Sequence, residues 1–188
     1  MLKRLFAIAA VLLLIVAVVA VNAIWFRPWS LNVFYEKVFV EVLLDEPELL
    51  STLGLVERFG ITRHNGKLSE ASPAHARQVM ERTKKNLAQL RAYPIAKQNA
   101  SQRLSTRVLD WFIERQVEGE RFQFHNYPLN QLFGQQNQFP SFMANQHRML
   151  APKDCDYYLQ RLHALPKKFD QVLEGLQLRE QMGIIPPR

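Results

Sequence analysis

From Leu5 to Phe26 every residue except Asn22 is apolar, a run of 22 positions. A helix rises about 1.5 Å per residue, so this run would reach roughly 33 Å, enough to cross a hydrocarbon core of about 30 Å. Lys3 and Arg4 precede it, which favours a cytoplasmic N-terminus, and Trp25, Phe26 and Trp29 stand at its far end as interfacial aromatics do. A cleaved signal peptide is the competing reading, with Val21-Asn22-Ala23 as a small-residue cleavage site and a secreted product. The run outlasts a signal core of about 7–15 residues and continues through Ile24, Trp25 and Phe26. The expected organisation is therefore a single-pass anchor within residues 1–29, with the bilayer as partner of residues 5–26, and a second part at 30–188 on the outer side.

Charge and cysteine usage narrow what the second part can do. The formal net charge is +7 over 188 residues, and the basic residues are scattered in pairs such as Lys84-Lys85 and Lys167-Lys168. A nucleic-acid surface gathers such charges into a stripe, so no nucleic-acid partner is expected. Cys155 is the only cysteine, which excludes an internal disulfide and a cysteine-based metal cluster. No cysteine follows the apolar run to carry a lipoprotein anchor.

Beyond the run, the pattern predicts an all-α fold. Ser30 can cap a helix from Leu31 to Leu44 with Phe34, Val38, Phe39 and Val42 on its apolar face. Asp45 precedes Glu46-Pro47-Glu48, the opening of a short helix that Gly54 ends, and Gly60–Ser69 reads as a polar connection. Ser72-Pro73 opens a helix to Ala92, with Ala76, Met80, Thr83, Leu87 and Leu90 at seam spacing, and Pro94 stops it. Ser101 opens another to Val117, with Leu104, Val108, Trp111 and Phe112 on one side. Further helices are expected from Pro140 to Met149, from Asp154 to Ala164 (carrying Tyr158, Leu159 and Leu162), and from Pro166 to Gly183. The last would bury Phe169, Val172, Leu173 and Leu176. Phe122-Gln123-Phe124 is the one candidate for a short strand.

Arg121–His147 fits neither periodicity. Between Phe122 and Gln146 six aromatics, counting Phe122, alternate with uncharged amides, and no Asp, Glu, Lys or Arg interrupts them. Such a composition suits a partly buried, hydrogen-bonded wall, because each buried amide needs partners. Two readings stand: an irregular core connection, or a wall facing a ligand. On the second reading His125, Tyr127, Asn130, Gln131 and Gln135 are the candidate substrate-binding residues. Catalytic motifs are absent. None of His64, His75, His125, His147 and His163 is followed by glutamate, no two are spaced i, i+4, and there is no G-x-S-x-G or phosphate-binding glycine loop. Glu114, Glu118 and Glu120 read as a solvated helix face.

Several segments resemble a bacterial family, domain of unknown function 885. They are Asp110-Trp111-Phe112, Gly119-Glu120, His125-Asn126-Tyr127-Pro128, Asn130-Gln131, Gly134 and Pro140, together with Ser72-Pro73-Ala74-His75, Lys168–Gly175 and Pro186-Pro187-Arg188. Members of that family look like zinc-dependent metallopeptidases with a largely helical fold and a His-Glu zinc motif far downstream of this region. The resemblance implies an N-terminal portion of such a peptidase in a bacterial inner membrane, its C-terminal part in the periplasm. No catalytic or metal residue is implied within this chain, and zinc is expected only with a downstream half, which would be its partner. Ile184-Ile185-Pro186-Pro187-Arg188 after Gly183 likewise reads as a link into another helix. The alternative is a complete, non-enzymatic helical module that binds a protein partner in the periplasm.

Overall fold

The computed structural model describes Asn22 and residues 26–186. The expected anchor, residues 5–26, thus lies outside the described residues apart from Asn22 and Phe26. Among the described residues no helix is long and apolar enough to cross a membrane.

The fold is all-helical. Among the described residues six α-helices run in the order α1 Leu31–Asp45, α2 Pro47–Leu53, α3 Pro73–Arg91, α4 Ala100–Gly119, α5 Gln135–Asn145 and α6 Pro152–Gln181. Turns of 3-10 helix at Glu57–Phe59, Arg63–Gly66, Ile95–Lys97 and Glu120–Phe122 connect them. The candidate strand at 122–124 is instead the end of one of these turns, and the described residues contain no strand.

The chain divides into two compact units. One comprises residues up to 41 with 84–114, the other residues 42–83 with everything from 115 onward. In the first unit Leu31 and Phe34 of α1 pack with Leu90 and Tyr93, and Tyr35, Val38 and Leu109 close around them. The Phe34 and Tyr93 rings are 5.5 Å apart and tilted, a favourable aromatic arrangement. Tyr93 Oη donates to the Pro28 carbonyl, and Arg27 Nη1 to the Ala92 carbonyl at 2.8 Å. Helix α4 starts at a reciprocal cap: Gln102 N donates to Asn99 Oδ1 (2.9 Å), and Asn99 N donates to Gln102 Oε1 (3.1 Å). Asn99 is therefore the cap, and Ser101 lies within the first turn. The side of α4 expected to be buried is outside. Leu104, Val108, Trp111 and Phe112 are exposed, whereas Thr106 and Ile113 are buried. Thr106 is covered because hydrogen bonds to Tyr35 and Gln98 hold it.

In the second unit the largest departure from expectation is α6. Residues expected to form two helices split at Pro166 form one helix of 30 residues with Pro166 inside it. Tyr157, Arg161, Lys168, Val172 and Gly175 make one buried stripe through the proline, so packing on that face holds the two halves in line. Pro166 is exposed, and the Leu162 carbonyl that loses its N–H partner lies on an exposed residue, where water can serve it. The helix ends in a Schellman motif, with Ile184 N bonded to Arg179 O and Gly183 N to Glu180 O, and Gly183 at φ 71°.

Helix α5 begins five residues before the expected Pro140, which sits in its interior. The reason is the turn before it. Asn130 Oδ1 accepts from Leu132 N (3.0 Å) and Phe133 N (2.7 Å), and Asn130 Nδ2 donates to Tyr127 O (2.9 Å). A Cβ on Gly134 would meet Asn130 N at 2.5 Å and Asn130 O at 2.6 Å, so only glycine allows the helix to start there. The expected polar connection at 60–69 is more structured than its composition suggests. His64, Asn65 and Gly66 are buried.

Candidate functional site

Helix α2 opens on Glu46 and Pro47 and directs Glu48, Leu49 and Thr52 to one side of a cleft. Ser69, Glu70 and Ala71 form a second wall. The third is the amide-rich segment: Leu132, Phe133, Gln135, Asn137, Gln138, Phe139, Ser141, Phe142 and Gln146. Lys168 reaches in from α6. The cleft encloses about 820 Å³, within the range of about 300–1,000 Å³ usual for small-ligand sites.

Its charged groups are fixed before any ligand arrives. Lys168 Nζ donates to Glu48 Oε1 at 2.6 Å, and Ser69 N donates to Glu48 Oε2 at 2.6 Å. Ser69 Oγ lies between Glu48 and Glu46, within reach of both carboxylates, and can donate its one proton to either. Burial alone would raise the Glu48 carboxyl; the Lys168 charge and the hydrogen bonds from Lys168 and Ser69 outweigh it and hold it below the ordinary range. Glu46 and Glu70 are exposed, so three carboxylates face one ammonium in this cleft. At the far wall Thr52 Oγ1 donates to Gln146 Oε1 at 2.7 Å.

Behind the cleft lies a buried guanidinium. Arg161 has no exposed surface. It donates to Lys67 O (2.9 Å), Ser51 Oγ (2.7 Å) and His147 Nδ1 (2.9 Å), with longer contacts to His64 O and Pro47 O. The ring of Phe142, a cleft residue, covers its face at 4.8 Å. Burial pushes Arg161 down to about 10, partly offset by Glu48, and leaves it a cation at neutral pH. His147 Nε2 lies 3.1 Å from the Asp154 carbonyl and must be its donor. Nδ1 then accepts from Arg161, which fixes one neutral tautomer. Burial, with Arg161 assisting, lowers the His147 pKa.

The five residues singled out in the sequence do not converge on this cleft. Gln135 lines the cleft. Asn130 turns its side chain into the loop that starts α5, and Gln131 is exposed, its carbonyl accepting from Asn137 Nδ2. Tyr127 Oη donates to Ile185 O (3.1 Å), and His125 is exposed with its ring edge-on to Phe122. Glu46, Glu48, Ser69, Glu70 and Lys168 gave no sequence signal. The Glu-Pro-Glu start of α2 was the nearest hint, because acids in a first turn are ordinarily explained by the helix dipole.

The donor set does not fit a zinc ion. Among the described residues no group of three or more His, Cys, Asp and Glu side chains could hold a metal. Both ring nitrogens of His147 are engaged, and His64 Nε2 is bonded to Glu57.

Residues 47–188 match the family described as bacterial protein of unknown function, DUF885. The chain belongs to that family. The DUF885 match starts at the first residue of α2 and takes in every residue lining the cleft except Glu46. Searches among curated proteins and among solved structures found no match.

Proposed function

We propose that this chain is the membrane-anchored, substrate-holding portion of a zinc-dependent metallopeptidase of its family, facing the periplasm, with the zinc and its base supplied by sequence beyond it. The observation that carries the reading is the cleft wall. Gln135 and Gln138 bring side-chain amides with a donor and an acceptor each, as a peptide backbone requires, and Phe133, Phe139 and Phe142 offer apolar contact. The carboxylates exclude a phosphate-rich substrate and favour a peptide with a free ammonium or basic side chains. The chain is inactive alone on this reading, because it holds a substrate without the group that hydrolyses it.

Fluorescence anisotropy with a library of labelled short peptides tests this on the full chain. Saturable binding is expected, weakened about tenfold in the double variant Gln135→Ala/Gln138→Ala, since two hydrogen bonds at about 0.5–1.5 kcal/mol each are lost. The melting temperature should stay unchanged. Absence of peptide binding, or a loss that only follows unfolding, would sink the proposal.

A further inference from the structure

The first unit holds a second cavity, of about 440 Å³, with a different chemistry. Arg27, Pro28, Trp29, Leu31, Tyr93, Pro94, Lys97, Gln98 and Gln102 line it, and no carboxylate does. Two cations therefore face the same space without a counter-charge. Gln98 is only 6% exposed, and its Nε2 has no hydrogen-bond partner. Its Oε1 is already committed: Thr106 Oγ1 donates to it at 2.8 Å, while Thr106 in turn lies 2.7 Å from Tyr35 Oη. A buried amide donor without a partner is destabilising, and Gln98 belongs to the wall of this cavity. Arg27 and Lys97, cations of the same wall, favour an anion as its occupant.

The surroundings identify where the anion comes from. Phe26, Trp29 and Ile95 are 62%, 71% and 65% exposed. Trp29 is itself a lining residue, Phe26 adjoins Arg27, and Ile95 adjoins Pro94 in the turn that ends at Lys97. Trp29 is thus an exposed apolar side chain in the wall itself, with Phe26 and Ile95 near lining residues in sequence, and a free phosphate site in water has no use for such side chains. At a bilayer surface they would lie among the upper acyl chains while the cations meet the headgroups. The apolar run that starts at Leu5 ends at Phe26, one residue before Arg27.

We propose that this cavity binds the phosphate of an anionic lipid headgroup. Arg27 and Lys97 supply charge, and the exposed Trp29, with Phe26 next to Arg27 in the chain, the contact with the acyl region. The proposal does not depend on what the other cleft binds.

Calorimetric titration of the full chain in nonionic micelles with dihexanoyl phosphatidylglycerol, dihexanoyl phosphatidylcholine and inorganic phosphate tests it. Phosphatidylglycerol is expected to bind saturably and to weaken with added salt. Phosphatidylcholine and inorganic phosphate should bind measurably less. Arg27 also bonds Ala92 and stacks on Tyr93, so Lys97→Gln, on an exposed residue outside those contacts, is the cleaner variant. About fivefold weaker phosphatidylglycerol binding is expected from it, the effect of one basic residue at a membrane surface. Equal binding of the two lipids, unchanged affinity in Lys97→Gln, or phosphate binding as tight as the lipid would each overturn the assignment.

Discussion

Arg161 holds a full positive charge out of water with no carboxylate among its hydrogen-bond partners. Carbonyls, a hydroxyl and an imidazole nitrogen replace its hydration, so His147 can serve it only while neutral. That makes His147 the pH-sensitive member of the group. Its folded pKa lies below the ordinary 6.5, so at mildly acidic pH the unfolded chain takes up a proton that the folded chain refuses. Stability from this residue is therefore complete above pH 6.5 and declines as pH falls from there through the folded pKa. Replacing His147 by asparagine keeps an acceptor for Arg161 without a titrating group. Urea denaturation from pH 7.5 to 5 should then show a smaller acid loss in His147→Asn than in the parent chain. An identical pH profile in both would remove His147 from this role.

Helix positions were legible in the sequence where caps and glycines marked them, and obscured where burial ran against polarity. Gly183 ends α6 as its residue type predicts, and Leu87, Leu90 and Phe34 are buried as periodicity predicts. The α4 face failed because hydropathy places Trp111 inside, whereas a hydrogen-bonded Thr106 is what the fold covers. The buried stripe of α6 failed for a related reason: it contains Arg161 and Lys168, which no hydrophobic pattern selects. The amide-rich wall could be recognised by composition, but the carboxylates opposite it come from α2 and a distant loop, and only folding brings them together. Pro166 adds a direct test at this scale. A proline within an exposed helix interior disfavours it by up to about 3 kcal/mol, less what it saves in the unfolded chain. Pro166→Ala should thus raise stability by about 1–2 kcal/mol by returning an N–H to the Leu162 carbonyl. A lower melting temperature in that variant would mean instead that the interruption itself aligns the buried stripe.

Across the whole molecule, the two cavities differ in sign: a carboxylate-bearing cleft in one unit and an acid-free, cationic cavity in the other, within a chain of net charge +7. The two cavities accord in charge with the two ligands proposed above, a peptide with cationic groups and an anionic lipid headgroup, and the metal question turns on the histidines themselves. A catalytic zinc site takes about three protein ligands and a water, with second partners orienting the ligands. In this chain His147 bonds Arg161 and Asp154, His64 bonds Glu57, and the exposed His125 and His163 are far apart in sequence with no third donor beside them among the described residues. Recruiting His147 would also strip the buried guanidinium of a partner, a loss of about 1–3 kcal/mol set against whatever the metal contributes. The purified full chain, dialysed against a slight excess of zinc and then against metal-free buffer, is therefore expected to retain well under one zinc per chain by atomic absorption. It should bind peptides of the kind proposed without cleaving them. One tightly held zinc per chain, released together with loss of the folded state, would place a metal centre inside this chain and overturn the assignment of catalysis to sequence beyond it.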